Sequence, residues 1–330
     1  MNQQQGRWTR RQVLACMGVG STVLAAPGLL RAQSDRPIKF ILPVGVGSGV
    51  DTITRSASLA LSSALGHTVV VENQPGAGGI VGTSALVRSA ADGYTLSVVS
   101  NNHVIFPSVY ESLPFDPLED ITPISVVGKS PLVLVVNPER VPSTTAPELI
   151  ELLKAHPAEY NYASSGNGTI LHLAVEMFLL QSGAQARHIP YRGVGPMVTD
   201  LMSGQVDLGV LSVASIRSQL ESGALRAIGY CGTERSAALP NIPTLREQGM
   251  ADYNVEGWIA VVGPAKLPDE IVQRVYEGFK DAFNTQSVKA AMTTQGNVIT
   301  LMPPDRTAAF FHREMQKYAD IVKGAGIEKM

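Results

Sequence analysis

Short apolar runs alternate along this chain with stretches in which apolar side chains recur every three or four positions. The first run is Ile38, Phe40, Ile41 and Leu42, and it stops at Pro43. Ile53, Ala57, Ala60, Leu61 and Leu65 then share one helical face, which ends at Gly66. Residues 68–72 are β-branched and read as a strand, followed by a glycine-rich turn at 73–79 and a helix around 82–90. Asp92-Gly93 marks another turn, and the strand 94–100 ends in Asn101-Asn102-His103. The apolar stretch 126–136, with Pro131 inside it, is read as a strand crossing into a second lobe. Thr145 and Glu148 have capping-box spacing before a helix at 149–154. A strand starting at 161–163, a loop at 164–169 and an apolar helix at 171–181 follow. Strands at 188–191, 206–210 and 225–230 are expected, with a helix at 197–203. Residues 255–262 read as the return crossing. The tail carries amphipathic helices, with Ile271, Val275 and Phe279 four apart and Phe311, Met315, Ile321 and Val322 in a second helical pattern. Strands alternating with helices predict an α/β protein with largely parallel sheets.

Two places where a strand gives way to a helix carry unusual loops. In the first, Gly45, Gly47 and Gly49 stand at alternate positions, with Ser48 among them and Asp51 close behind. The second is Tyr162-Ala163-Ser164-Ser165-Gly166-Asn167-Gly168-Thr169. Glycine lets the backbone approach a ligand without a Cβ in the way. The unsatisfied N–H groups of the helix behind it attract negative charge. Each loop therefore reads as an anion-binding device, and two lobes each offering one loop predict a ligand held between them. Asp51 and Thr169 also suit helix caps. Asn102 and His103 fall at the carboxyl end of a strand, where ligands bind in open α/β sheets, and His103 reads as polar lining rather than as a base. Asp207, among apolar residues of an expected strand, needs a hydrogen-bonded partner, either a ligand or a neighbouring loop.

Other chemistries lack their signatures. The glycine spacing is not the dinucleotide fingerprint, and Gly128-Lys129-Ser130 has Pro123 where a phosphate loop needs its first glycine. No G-x-S-x-G nucleophile elbow occurs, and the six histidines show no short-range metal-ligand spacing. No cofactor, metal or catalytic residue is expected. A hydrolase using Ser48 or Ser164 with His103 is the rival from another class.

Composition narrows the setting. At 330 residues, 45% hydrophobic and 16% charged, the chain suits two domains with ample buried sheet. Residues 1–34 read as a cleaved export signal: Arg10 and Arg11 precede an apolar run to Leu30, in a pattern like the twin-arginine signal, with ordinary secretion as the alternative. Cleavage fits Ala32, or else Ala25 or Ala26. Removing Arg7, Arg10, Arg11 and Arg31 with it takes the formal charge from −2 to about −6, which leaves no electrostatic footprint for nucleic acid. Cys16 lies in the leader, so Cys231 is left without an intrachain partner and is read as a small buried hydrophobe.

Several of these segments together resemble the Bug-type receptors, the extracytoplasmic substrate-binding proteins of tripartite tricarboxylate transporters. They are 38–51, 70–79, Ala91-Asp92-Gly93-Tyr94-Thr95-Leu96, Leu113-Pro114-Phe115-Asp116-Pro117, 161–169, Ile189-Pro190-Tyr191-Arg192-Gly193 and Gly204-Gln205-Val206-Asp207. The resemblance implies a two-lobed periplasmic binding protein, type II-like, each lobe a mostly parallel sheet flanked by helices. Lobe 1 would take residues 35–136 and 255–330, and lobe 2 residues 137–254, with hinges near Val136 and Val255. It implies a monomeric receptor closing on a small carboxylate and presenting it to a membrane permease, or alternatively to a sensor kinase. Carried over, the ligand-binding residues are Val46, Gly47, Ser48, Gly49, Val50, Ser164, Gly166, Asn167 and Thr169, with Asn102, His103 and Asp207 as further lining. Gly45, Val46 and Ser48 stand where the family has more prolines and consecutive glycines.

Overall fold

Because the apolar runs are short and each is followed by a helix that needs a partner surface, the chain settles into two sheets wrapped by helices. The computed structural model describes residues 36–329 apart from 238 and 325; the leader expected over 1–34 lies outside the described residues. The first part of the chain gives β1 (Ile38–Leu42), α1 (Gly49–Leu65), β2 (Val69–Asn73), a 3-10 turn (Ala77–Gly79), α2 (Ile80–Val87), β3 (Thr95–Ser100), α3 (Asn102–Val109) and β4 (Ile121–Ser130). It continues through β5 (Leu132–Val136), α4 (Ala146–Ala155), β6 (Asn161–Ser164), α5 (Ile170–Ser182), β7 (Arg187–Pro190), α6 (Val194–Met202), β8 (Leu208–Ser212), α7 (Val213–Ser222) and β9 (Arg226–Tyr230). The remainder is β10 (Gly257–Pro264), α8 (Asp269–Asn284), α9 (Gln286–Thr294), β11 (Val298–Ile299) and α10 (Pro304–Gly324).

The first sheet has the order β2-β1-β3-β10-β4-β11 and the second β7-β6-β8-β5-β9. Parallel pairing holds where expected, for β1 with β2 and β3, and for β6 with β7 and β8. The rest of each sheet is antiparallel, so both sheets are mixed. The cause is reciprocal: each sheet takes in one strand arriving from the other lobe. β5 enters the second sheet between β8 and β9, antiparallel to both. β10 enters the first between β3 and β4, again antiparallel to both. These inserted strands are flanked on both sides and buried throughout, which is why they read as unbroken apolar runs.

The single crossing strand expected over 126–136 is two strands. Pro131 has no N–H to give a ladder, so the run divides there. Leu132–Val136 pairs wholly within the second sheet, which puts the first crossing at Pro131 rather than after Val136. The return passes Cys231, whose amide donates to Leu132 O at 3.0 Å, and reaches Gly257, paired with Ser130. A side chain at Gly257 would come within 2.3 Å of Ser130 O, so the crossing requires glycine. Three helices went unread in the sequence: α3, which contains Pro107, and α7 and α9, which bury only Val213 and Ile216, and Val288 and Met292, and so lack a long apolar period. Cys231 is fully buried, and burial pushes its thiol up to about 12.

Candidate functional site

The first loop is fastened from behind by Asp51. Its carboxylate accepts from the Gly47 amide (3.0 Å), Arg55 Nε (2.8 Å) and Asn73 Nδ2 (2.9 Å). Asn73 Nδ2 also donates to Val44 O at 3.2 Å. Ser48 caps α1 by accepting from the Asp51 amide at 3.2 Å. Asp51 is therefore a buried brace for the loop, and the donors left over are the first amides of α1. The amides of Gly49 and Val50 meet no acceptor among the described residues, as the first turn of any helix dictates.

The second loop is tied down by ring stacking. Tyr162, His172 and His188 form a pile, with His172 and His188 centroids 4.0 Å apart and Tyr162 4.8 Å from His188. Ser164 Oγ lies 2.6 Å from His188 Nε2 and accepts from the Gly166 amide at 3.1 Å. His172 Nδ1 accepts from the Gly168 amide at 3.2 Å, so Nδ1 is unprotonated. Tyr162 donates to Glu176, and burial together with that carboxylate pushes the phenol far above its ordinary range. The Thr169 hydroxyl turns back to Gly166 O at 2.8 Å instead of capping α5. The cap comes from the other lobe: Asn102 Oδ1 accepts from the Ile170 amide at 2.9 Å, while its Nδ2 donates to Gly78 O at 3.2 Å.

Between these loops lies a cavity of about 740 Å³, within the range of small-molecule sites. Ser48 and Asn102 from the first lobe and Gly166, Asn167 and Thr169 from the second line it. A smaller inner chamber of about 70 Å³ continues from it, lined by Gly49, Val50, Ile170, Leu171, Val194 and Ser212. The amino ends of α1, α5 and α6 thus converge on one space. The lobes touch across it, with Tyr110 donating to Asn167 O at 3.4 Å.

Of the twelve residues expected to bind, seven meet at this space: Ser48, Gly49, Val50, Asn102, Gly166, Asn167 and Thr169. The other five do not line it. Val46 points to solvent at 65% exposure, and Gly47 serves Asp51. Ser164 is buried beneath the loop. His103 does not line the cavity; it is buried among Phe106 and Phe311 and held by Pro117 O at 2.6 Å. That bond also leaves no His103 for the serines a hydrolase would use. Asp207 sits at the amino end of β8, on the far side from the cleft. It bonds the Asn161 amide at 2.7 Å and Arg140 Nε at 3.2 Å, so burial is offset by the neighbouring loop. The structure adds residues that the sequence reading left out: Pro75 to Gly79, Tyr110, and Tyr191 to Val194. The glycine run at 76–79 was visible as a turn before a helix, but nothing local marked it as cavity wall.

Burial drives three histidines down to about 4: His103, His172 and His188, with the neighbouring His172 adding to the effect on His188. The folded protein then binds fewer protons than the unfolded chain between pH 6.5 and about 4, so stability rises with pH through that window. Their contribution is complete above pH 6.5 and is lost as pH falls. For the fully buried His103 alone the loss is roughly 3 kcal/mol, at about 1.4 kcal/mol per pH unit. The melting temperature is expected to fall steadily from pH 6.5 to 4.5, before most carboxylates titrate. Proton NMR titration should show these three rings unprotonated above pH 5; midpoints near 6.5 would contradict the burial argument.

Two α/β lobes exchanging strands, with helix amino ends facing the cleft between them, define the periplasmic binding protein class. The solved structure of the periplasmic binding protein BugD has a TM-score of 0.86 and 28% identity, covering 90% of this chain and 99% of its own. Within that class the chain belongs to the tripartite tricarboxylate transporter receptors: the model described as "Tripartite tricarboxylate transporter family receptor" matches residues 53–327. Protein BugT of Bordetella pertussis is 35% identical over 320 residues, 96% of this chain and 98% of BugT. An R. palustris protein solved with adipate gives a TM-score of 0.86 at 26% identity, covering 90% of this chain and 99% of its own.

Proposed function

We propose that the protein is an exported solute receptor that binds a small carboxylate between its lobes and delivers it to a tripartite tricarboxylate-type permease. The observation that carries this reading is the convergence of three helix amino ends, with spare amides at Gly49, Val50 and Leu171, on one partly enclosed space. Such amides favour an anion, and bonds to a charged oxygen are stronger than neutral ones. The adipate bound to the R. palustris relative supports the ligand class. Ser48, Gly49, Val50, Asn102, Gly166, Asn167 and Thr169 would contact the ligand or its waters. Pro131 and the stretch before Gly257 would be the hinges, with lobe 1 formed by 36–130 and 257–329 and lobe 2 by the residues between. Export through the leader, by the twin-arginine route, would place the receptor in the periplasm, acting as a binding protein with no catalytic step.

Thermal unfolding against a panel of di-, tri-, amino and aromatic acids tests this reading. A ligand that binds only the folded state adds about 2.7 kcal/mol at a hundredfold excess over Kd, so a rise of several degrees with at least one acid is expected. No rise with any acid, after ligand retained from purification has been removed by unfolding and refolding, would overturn the carboxylate assignment.

A further inference from the structure

The cavity walls are nearly free of charge. Among the described lining residues Arg192 carries the one ionised side chain, and no acidic group lines the space to neutralise it. Arg192 is exposed and its guanidinium has no hydrogen bond or ion pair among the described residues. Its position is fixed from both sides: the Tyr191 amide donates to Ser164 O at 2.9 Å, tying the segment to the second loop. Gly193, next along, sits opposite Gly45, where an added Cβ would lie 3.6 Å from the Gly45 Cα.

Arg192 lines only the outer cavity, whereas Ser48, Asn102 and Val194 line both that cavity and the inner chamber. An anion held on the amides of Gly49, Val50 and Leu171 therefore sits at the inner end, with Arg192 beyond it toward the mouth. We infer that Arg192 receives a second carboxylate at the outer end of the ligand, so that the receptor selects linear dicarboxylates over monocarboxylates. This rests on the carboxylate reading above and sharpens it. A guanidinium presents paired N–H groups that match a carboxylate's two oxygens. Closure of the lobes removes water from that pair and strengthens it over an ordinary surface ion pair.

The test is calorimetric titration of the refolded full-length mature protein with straight-chain C4 to C8 dicarboxylates and their monomethyl esters, for the native sequence, Arg192→Gln and Arg192→Lys. The native protein is expected to bind the best diacid at least tenfold tighter than its monoester. R192Q is expected to lose about tenfold for the diacid and nothing for the monoester, and R192K to fall between. Circular dichroism should show all three equally folded, since the Arg192 side chain has no partner among the described residues. An equal loss for diacid and monoester in R192Q, or no loss for either, overturns the assignment of Arg192. A native protein that binds monocarboxylates but no diacid overturns it too, while the carboxylate reading stands. Binding of neither class overturns both.

Discussion

Asn102→Asp is expected to cut carboxylate affinity at least about a hundredfold while leaving the fold as stable as before. Asn102 is the side chain that reaches from the first lobe to the amino end of α5, accepting from the Ile170 amide. It lines both the cavity and the inner chamber. Aspartate keeps that acceptor and places a negative charge at a helix amino end, where it is favourable. The bond from Asn102 Nδ2 to Gly78 O is lost, at about 1 kcal/mol. The melting temperature of the ligand-free protein should therefore change little. For an incoming carboxylate the same charge is a competitor seated on the donors it needs. Two like charges about 4 Å apart at an effective dielectric near 20 repel by about 4 kcal/mol, and each 1.4 kcal/mol is tenfold in Kd. Calorimetry and thermal unfolding on the same sample separate the effects. Unchanged affinity would mean that the ligand's charge does not lie near α5.

The second large effect concerns closure. Gly49, the first residue of α1, faces Ser212 of the other lobe, and an added Cβ would lie 2.7 Å from Ser212 Oγ and 3.1 Å from its Cβ. Such approaches are too close for any side chain, and overpacking of this kind costs about 1–3 kcal/mol. Moving the lobes apart relieves the contacts with Ser212, although not the 3.2 Å approach to Ser130 Oγ within the same lobe, so Gly49→Val should penalise the closed form most. Affinity is expected to fall between about tenfold and a hundredfold, with a smaller loss of ligand-free stability from the contact with Ser130. Small-angle scattering at saturating ligand should show the native protein contracting and G49V remaining extended. Full contraction of G49V with native affinity would show that the lobes do not meet at Gly49 in the bound form.

Much of this architecture was legible because local chemistry and global fold agree. The run from Ile38 to Leu42, the glycine loop and the face from Ile53 to Leu65 became β1, loop and α1 with shifts of a few residues, since Ser48 and Gly66 punctuate the helix. What escaped was set by tertiary contacts. Nothing in the sequence of β5 says which sheet receives it; the pairing of Leu132 with Ser212 decides that. Seven binding candidates reached the cleft because they sit in loops before helices, a position the sequence itself marks. Asp207 and His103 misled for one shared reason: a polar residue among apolar neighbours signals burial with a partner, and here Asn161, Arg140 and Pro117 supply it locally. Asp51 was ambiguous between cap and ligand contact and proved to be a brace, because Arg55 and Asn73 take one of its oxygens and the Gly47 amide the other. Tyr191 to Val194 joined the cavity only because β7 ends beside β6, which no local pattern reveals.

Anion binding by helix amino ends is tested most directly by a ligand matched in shape but not in charge. The refolded protein should be titrated calorimetrically with the tightest-binding dicarboxylate from the panel and with its diamide. An amide keeps the size and one oxygen of the carboxylate but brings N–H groups toward the spare amides of Gly49, Val50 and Leu171. The acid should bind and the diamide should produce no measurable heat of binding at a hundred times the acid's Kd. Comparable affinities for the two would contradict recognition by charge at those amides.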